Sequence, residues 1–378
     1  MRSFGVEEEL LLVEEQTGQA VAVARSLLAN LESSVDTTSG QLTAELQQEM
    51  VEAVTEPREH REDLLADIVA NRAHADRAAR VVGARAVAVA TSPLLVHPHI
   101  MADSRYSRIR ERFGVTARTS LTCGLHVHVA IDDREEGVAA LDRVRAWLPL
   151  LVAITANSPF AAGEDTGFVS YRSRSWSQWP TTGPSDLFGS ADAYDAYCDS
   201  LLATGVLLDA GMFYFDARLS RNHPTIEIRV SDVCLEPSTT ATVAALCRAL
   251  VETASTEWRQ GIAPLPVPSA LIRLASLQAS QTGLAGNLLH PVDAVPLPAR
   301  AVIDLLLDHT AVQLEAAGDA AAVRAELDRL FAEGNGAERQ RASFARSQSL
   351  HSVVIDAIAL THGEGRPDQR STPANTSG

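Results

Sequence analysis

Apolar and polar positions recur with different periods along the chain, and the period marks the elements. Phe4 to Val13 is an apolar run carrying three consecutive acids, the pattern of a strand, and Gly18 marks a turn before a second apolar run, Ala20 to Ala24. Leu42 to Thr55 mixes apolar and acidic residues and stops at Glu56-Pro57. Leu64, Leu65, Ile68, Val69 and Ala73 fall at helical spacing, which predicts an amphipathic helix over 59–82. Ala86 to Ala90 reads as a buried strand, Ser104 to Phe113 as a short basic helix and Ser120 to Ile131 as a strand. Residues 135–156 read as helical, with Pro149 a kink or break. Residues 157–190 form a loop-rich stretch, and a loop of that length is usually functional or disordered; Tyr171, Trp176 and Trp179 favour function. A helix is expected over 192–204, then strands over 213–219 and 225–230 joined in a hairpin-like connection. From 238 to about 360 the pattern is helical, broken at 264–268 and near 283–298. Residues 363–378 read as a polar, disordered tail. Mixed strands and helices followed by helices alone predict an α+β fold with a mainly antiparallel sheet, and residues 1–362 are expected to form one domain.

Composition narrows the chemistry. All 32 basic residues are arginine; the chain has no lysine. A lysine-bearing phosphate loop, a Schiff base and a kinase-type phosphate lysine are therefore excluded. A net charge of −16 argues against nucleic acid and anionic membrane surfaces as partners. Glu7, Glu8 and Glu9 follow the N-terminus at once, unlike a signal peptide, and no long charge-free apolar run predicts a membrane span. Cys123, Cys198, Cys234 and Cys247 form no CxxC pair and read as reduced, buried thiols. These features predict a cytoplasmic protein.

Four stretches carry candidate chemistry, and a fifth carries candidate ligand contacts. In Gly5-Val6-Glu7-Glu8-Glu9-Leu10, a strand places Glu7 and Glu9 on one face and Val6, Glu8 and Leu10 on the other. Carboxylates about 5 Å apart repel by roughly 3 kcal/mol at an effective dielectric near 20, which a divalent cation would relieve. An exposed acidic edge strand is the bland alternative. Glu45, Glu49 and Glu52 lie in Glu45-Leu46-Gln47-Gln48-Glu49-Met50-Val51-Glu52, where an acid flanked by apolar residues suggests a ligand or an ordinary surface segment. His126 and His128 share a strand face, as metal ligands or as hydrogen-bonded core residues. Glu227 and Arg229 share another, where glutamate could hold a metal and arginine grip phosphate or carboxylate oxygens, or the two could form an ion pair. Arg172 and Arg174 stand among aromatics in the 157–190 stretch, suited to an anionic ligand or to a plain surface loop.

Taken in order, G-V-E-E-E-L at 5–10, E-L-Q-Q-E-M-V-E at 45–52, C-G-L-H-V-H-V at 123–129, S-Y-R with W-S-Q-W-P-T-T-G-P at 170–184 and R-N-H-P-T-I-E-I-R-V-S-D-V at 221–233 resemble the type 2 glutamate–cysteine ligase family of carboxylate–amine ligases. The resemblance spans about residues 4–362. It implies a glutamine synthetase-like curved antiparallel sheet with helices and a helical C-terminal part. It implies that ATP phosphorylates a carboxylate and that an amine displaces phosphate, with glutamate and cysteine as substrates. Matched residue by residue, Glu7, Glu9, Glu45, Glu52, His126 and Glu227 look like ligands for two or three Mg²⁺ ions, with Mn²⁺ as a substitute. Arg229 looks like the arginine that meets the transferred phosphoryl. Arg172 looks like a substrate-carboxylate or phosphate arginine, and Arg218 like a further contact to the nucleotide. The 157–190 stretch is long enough for a lid, and the C-terminal helices suit a homodimer surface. A phosphotransferase on the same fold, or a non-catalytic nucleotide or metal sensor, are the competing readings.

Overall fold

The computed structural model describes residues 1–32 and 41–363, so the expected tail, Gly363 apart, lies outside the described residues. The first half of the chain runs β1 (Phe4–Glu14), α1 (Ala24–Glu32), β2 (Gln41–Ala44), β3 (Met50–Val54), α2 (Arg61–Val81), β4 (Ala84–Val87), α3 (Ser104–Phe113), α4 (Val115–Thr119), β5 (Gly124–Ala130), α5 (Arg134–Val144) and α6 (Leu148–Thr155). Then come β6 (Phe160–Ala161), β7 (Glu164–Asp165), α7 (Tyr171–Trp176), α8 (Ala191–Ala203), β8 (Ala217–Leu219) and β9 (Thr225–Asp232). The remainder is α9 (Pro237–Arg259), α10 (Ser269–Thr282), a β10–β11 hairpin (Asn287–Leu289, Pro296–Pro298), α11 (Ala299–Ala317), α12 (Ala320–Glu333), α13 (Gly336–Ser347) and α14 (Leu350–Thr361). None of the described helices is long and apolar enough to cross a membrane.

The main sheet is antiparallel throughout, in the order β2-β3-β1-β5-β9-β8. β1 is its centre. One edge of β1 pairs with β3, from Glu7↔Val54 to Leu11↔Met50. The other is shared end to end, with Phe4–Glu8 on β5 and Leu11–Glu14 on β4. Period two then divides the side chains. Phe4, Val6, Leu125, Val127, Val129, Ile226 and Ile228 enter one core with residues of α5, α6 and α9. Leu10, Leu12, Met50, Val51 and Val87 enter a second with α2 and α14. Helices thus cover one face, where Glu8 is paired with Arg72 of α2, and Glu7, Glu9, Glu52 and Glu227 occupy the other.

Several expected boundaries shift for local reasons. The helix expected over 135–156 is two helices, because the chain bends at Arg145–Trp147 and Pro149, with no N–H to donate, falls in the first turn of α6 where none is needed. The 157–190 stretch is not simply loop: it holds the β6–β7 hairpin and α7. Its beginning is tied to the end of β9, where Asp232 accepts from the Asn157 amide (2.9 Å), the Ser158 hydroxyl (2.7 Å) and the Ser170 hydroxyl (2.9 Å). The strand expected over 213–219 is confined to Ala217–Leu219, since Ala210–Met212 forms a 3₁₀ turn just before it.

Candidate active site

The open face of the sheet lines a cavity of about 580 Å³. β1 contributes Glu7 and Glu9, β3 Glu52, β5 His126 and His128, β8 Arg218 and β9 Glu227 and Arg229. The ladder register aligns them: Glu9 lies opposite Glu52, Glu7 opposite His126, and His128 and Arg218 flank Glu227. Glu45 reaches the same cavity from the turn between β2 and β3. A register shift between β5 and β9, between Leu125 and Val127, gives β9 one extra residue where Arg229 enters the site.

The cavity is electrically divided. At one end Glu9, Glu45 and Glu52 bring carboxylate oxygens within 4.8 Å of one another. Burial and the neighbouring Glu9 charge push the Glu45 carboxyl up to about 8. Burial and the charges of Glu45, Glu7 and Glu9 raise Glu52 well above the carboxylate range. Thr43 donates to Glu52 (2.9 Å), and the Gly124 amide donates to Glu9. At this separation each pair of charges repels by about 3–4 kcal/mol at an effective dielectric of 20, so ionisation of all three acids requires a cation. Three hard oxygen donors with that requirement fit Mg²⁺ or Mn²⁺.

Next to them, Glu7 bridges two imidazoles. His126 Nδ1 lies 3.0 Å from one Glu7 oxygen and His128 Nε2 lies 3.2 Å from the other. Burial and Arg229 push His126 down to about 4, so the ring is neutral, its Nδ1–H donates to Glu7 and Nε2 is left as a ligand atom. Burial, which would raise Glu7, is outweighed by its two histidine contacts, and it stays ionised. Two further ligand constellations meet at Glu7, one with Glu52 and His126 and one with His128 and Glu227.

The other end is cationic. Arg218 grips Glu227 with both arms, at 2.7 and 3.1 Å, and Arg229 contacts the same carboxylate. Burial and the adjacent Arg218 charge push Arg229 down to about 10, so two guanidiniums share one acid and leave surplus positive charge facing the cavity. Arg172 does not line this cavity. It is 2% exposed, stacks over Trp176 with its carbon 5.8 Å from the ring centre, and lies against the Val230 and Arg229 carbonyls in a smaller neighbouring pocket.

The structure thus brings together Glu7, Glu9, Glu45, Glu52, His126, Glu227, Arg218 and Arg229, and sets Arg172 behind them. Sequence reasoning reached only part of the rim, Trp176 and Trp179 of the 157–190 stretch and Arg221 of the 221–233 motif. Arg105 and Tyr106 come from α3, Asp209 and Tyr214 from the segment before β8, and Arg221 and His223 from the β8–β9 turn. Arg105 pairs with Asp209 (2.7 Å), and Trp176 and Trp179 each pack edge to face on Tyr214, at 5.0 and 5.5 Å. These residues are distant in sequence and lie on no shared local period. His128 lines the cavity beside His126, on the strand face that alternation gives them both. Glu8 and Glu49 belong elsewhere: Glu8 is buried on Arg72 (2.6 Å), and Glu49 accepts from the His99 amide (3.0 Å).

Three comparisons bear on this arrangement. The family model for glutamate–cysteine ligase family 2 matches residues 3–356. A Streptomyces coelicolor protein named "Putative glutamate–cysteine ligase 2" is 46% identical over 361 residues, covering 96% of this chain and 99% of its own. A Paenarthrobacter aurescens protein named "Putative glutamate–cysteine ligase 2-3" is 49% identical over 391 residues, covering 99% and 91%. Among solved structures, a Francisella tularensis glutamate–cysteine ligase in complex with AMP superposes with a TM-score of 0.67 at 12% identity, covering 96% of this chain and 88% of that one. A bifunctional glutathione synthetase from Pasteurella multocida gives 0.65 at 12% identity, covering 96% of this chain and 52% of that one. The family model and these relatives make the chain an ATP-dependent ligase. More narrowly, the chain belongs to glutamate–cysteine ligase family 2.

Proposed function

We propose that the protein joins the side-chain carboxylate of L-glutamate to an amine, L-cysteine being the first candidate, at the expense of ATP and by way of an acyl phosphate. The observation that carries this reading is the divided cavity, with an acid cluster at one end and an arginine pair at the other, on rigid adjacent strands. Glu7, Glu9, Glu45, Glu52, His126 and Glu227 would hold two or three Mg²⁺ ions, which supply charge neutralisation at nucleotide phosphate oxygens when bound. Phosphoryl transfer asks for little covalent help from protein and much positioning and positive charge. A carboxylate oxygen attacks the γ-phosphorus, the bond to the β-phosphate oxygen breaks, and ADP leaves. Arg229, with its neighbour Arg218, meets the charge on the moving phosphoryl. The amine then attacks the acyl carbon, the C–N bond forms, the amine gives up a proton and phosphate departs. Arg105, Tyr106, Trp176, Trp179 and Tyr214 narrow the mouth and keep water from the acyl phosphate.

The test is ADP release with Mg²⁺, ATP, glutamate and cysteine, read beside product mass, then repeated with a panel of acids and amines. The expected result is an amide formed one to one with ADP and lost in Glu52→Gln and Arg229→Ala. ADP formed with a stable phosphorylated product instead makes the protein a phosphotransferase. Nucleotide binding without turnover of any pair makes it a sensor.

A further inference from the structure

Of the acids at the metal end of the cavity, Glu7, Glu9 and Glu52 stand on strands whose ladders fix their backbones, and Glu45 does not. The β2–β3 pairing ends at Ala44↔Val51, and Glu45 begins the connection that reverses the chain. Among the described residues its carboxylate accepts only from the Leu46 amide (3.2 Å), so no neighbouring side chain aims it. A ligand on a connection is held only as firmly as the connection itself. Glu49, the acid of the same stretch that does not line the cavity, supplies a hold. It is 1% exposed. Both of its oxygens accept from the His99 amide (3.1 and 3.0 Å), and one also lies 2.6 Å from His99 Nδ1, which carries the hydrogen because an ionised carboxylate only accepts. The main chain repeats the link: the Gln48 amide donates to the His99 carbonyl (2.8 Å) and the Met101 amide to the Leu46 carbonyl (2.9 Å). Residues 99–101 thus lie antiparallel along 46–48 as a short strap. Two residues further on, Asp103 caps α3, whose Arg105 and Tyr106 stand at the rim. On the other side the buried Gln47 donates to the Ala117 and Ser120 carbonyls (2.8 and 2.9 Å).

We infer that Glu49 is a positioning residue: through the 99–101 strap it fixes Glu45 against Glu9 and Glu52 and joins that acid to the rim helix as one unit. The inference rests on the reading of Glu45 as a metal ligand. Burying a carboxylate is costly unless its acceptors are filled, and here a single residue fills them. The reason for the hold is electrostatic. Glu9, Glu45 and Glu52 repel one another when all are ionised, and of the three only Glu45 stands where the backbone could swing away to relieve the repulsion. With the strap clipped by Glu49, the turn stays in place and the three acids are arranged for a cation before it arrives. Without the clip, binding must first draw the turn back, and affinity falls by that amount.

Titration of the full-length protein with Mn²⁺, without nucleotide and with the free ion read by electron paramagnetic resonance, tests this. Glu45→Gln marks the bound ions that depend on the turn. Glu49→Ala is expected to weaken the same ions about tenfold or more, as for loss of a group that orients a metal ligand. Glu49→Gln is expected to fall between Glu49→Ala and the unmodified protein, since the amide keeps one acceptor. His99→Ala keeps the main-chain amide at an exposed position and is expected to weaken these ions about threefold, the effect of one hydrogen bond. Hydrogen exchange over residues 99–106 should slow on adding Mn²⁺ to the unmodified protein and not to Glu49→Ala. A Glu49 that serves only the fold would lower the metal-free melting temperature in Glu49→Ala and leave Mn²⁺ affinity unchanged, which would overturn the inference. Unchanged affinity in His99→Ala would overturn it as well, should Glu49→Ala fail to fold. If Glu45→Gln itself leaves Mn²⁺ affinity unchanged, the ligand reading falls and takes the inference with it. If Glu45→Gln weakens Mn²⁺ but no Glu49 or His99 variant does, the ligand reading stands and the inference alone falls.

Discussion

Glu227 satisfies two arginines at once, and this shapes what each can do. Arg218 holds both of its oxygens, so Glu227 stays anchored when Arg229 is removed. Arg229→Ala should therefore leave the fold intact and lower kcat by about a hundredfold or more, the usual effect of losing a donor to transition-state charge, with KM for ATP little changed in a coupled ADP assay. The acid cluster predicts an unusual pH response. Glu45 and Glu52 ionise with more difficulty in the folded chain than in the unfolded one, so between about pH 5 and 8 the metal-free native state holds the extra protons. Stability then falls as pH rises through that window. Melting temperature without metal should drop from pH 5 to pH 8, and added Mg²⁺ should restore most of the loss at pH 8 and little at pH 5. A melting temperature that rises with pH in the metal-free protein would refute the clustered-acid account.

At the scale of elements, the site depends on close approach of α7 to the sheet. A Cβ on Gly124, at the start of β5, would overlap the guanidinium of Arg172. Arg172 is buried and cannot move aside into water, so Gly124→Ala should cost about 1–3 kcal/mol by overpacking, measured by denaturant unfolding. The variant should also lower kcat, because Arg172 lies against the backbone carbonyl of Arg229. Strand faces were legible in the sequence because period two is local: Glu7 with Glu9, His126 with His128 and Glu227 with Arg229 all land on the open face as expected. The turn position of Glu45 was not legible, since its stretch has no clean period and the chain reverses within it. The antiparallel sheet followed from the order of mixed strands and helices ahead of helices alone, whereas the β6–β7 hairpin and α7 inside the 157–190 stretch are held by tertiary bonds to Asp232 that no local pattern encodes.

Over the whole molecule, one buried ion pair links distant parts. Arg72 of α2, 1% exposed, binds Glu8 of β1 with two bonds (2.6 and 2.9 Å) and donates to the carbonyls of Cys234 and Leu235 before α9. Arg72→Met should destabilise the protein by about 3–5 kcal/mol, because Glu8 is left charged in the core. Adding Glu8→Leu should recover most of that loss, which equilibrium unfolding of the single and double variants would measure.

The central place of β1 has a consequence for how the chain is made. It leaves the ribosome before every strand it pairs with, since these lie at residues 50–54, 84–87 and 125–129, and the last acid of the site, Glu227, arrives still later. An acidic, half-apolar strand must therefore wait until residue 129 has been made before its own ladder closes, and until residue 227 before the site's last acid arrives. Nascent chains stalled before β5 should carry β1 protease-accessible, while release of β9 from the exit tunnel should complete the site by adding Glu227 and Arg229 to acids already in place.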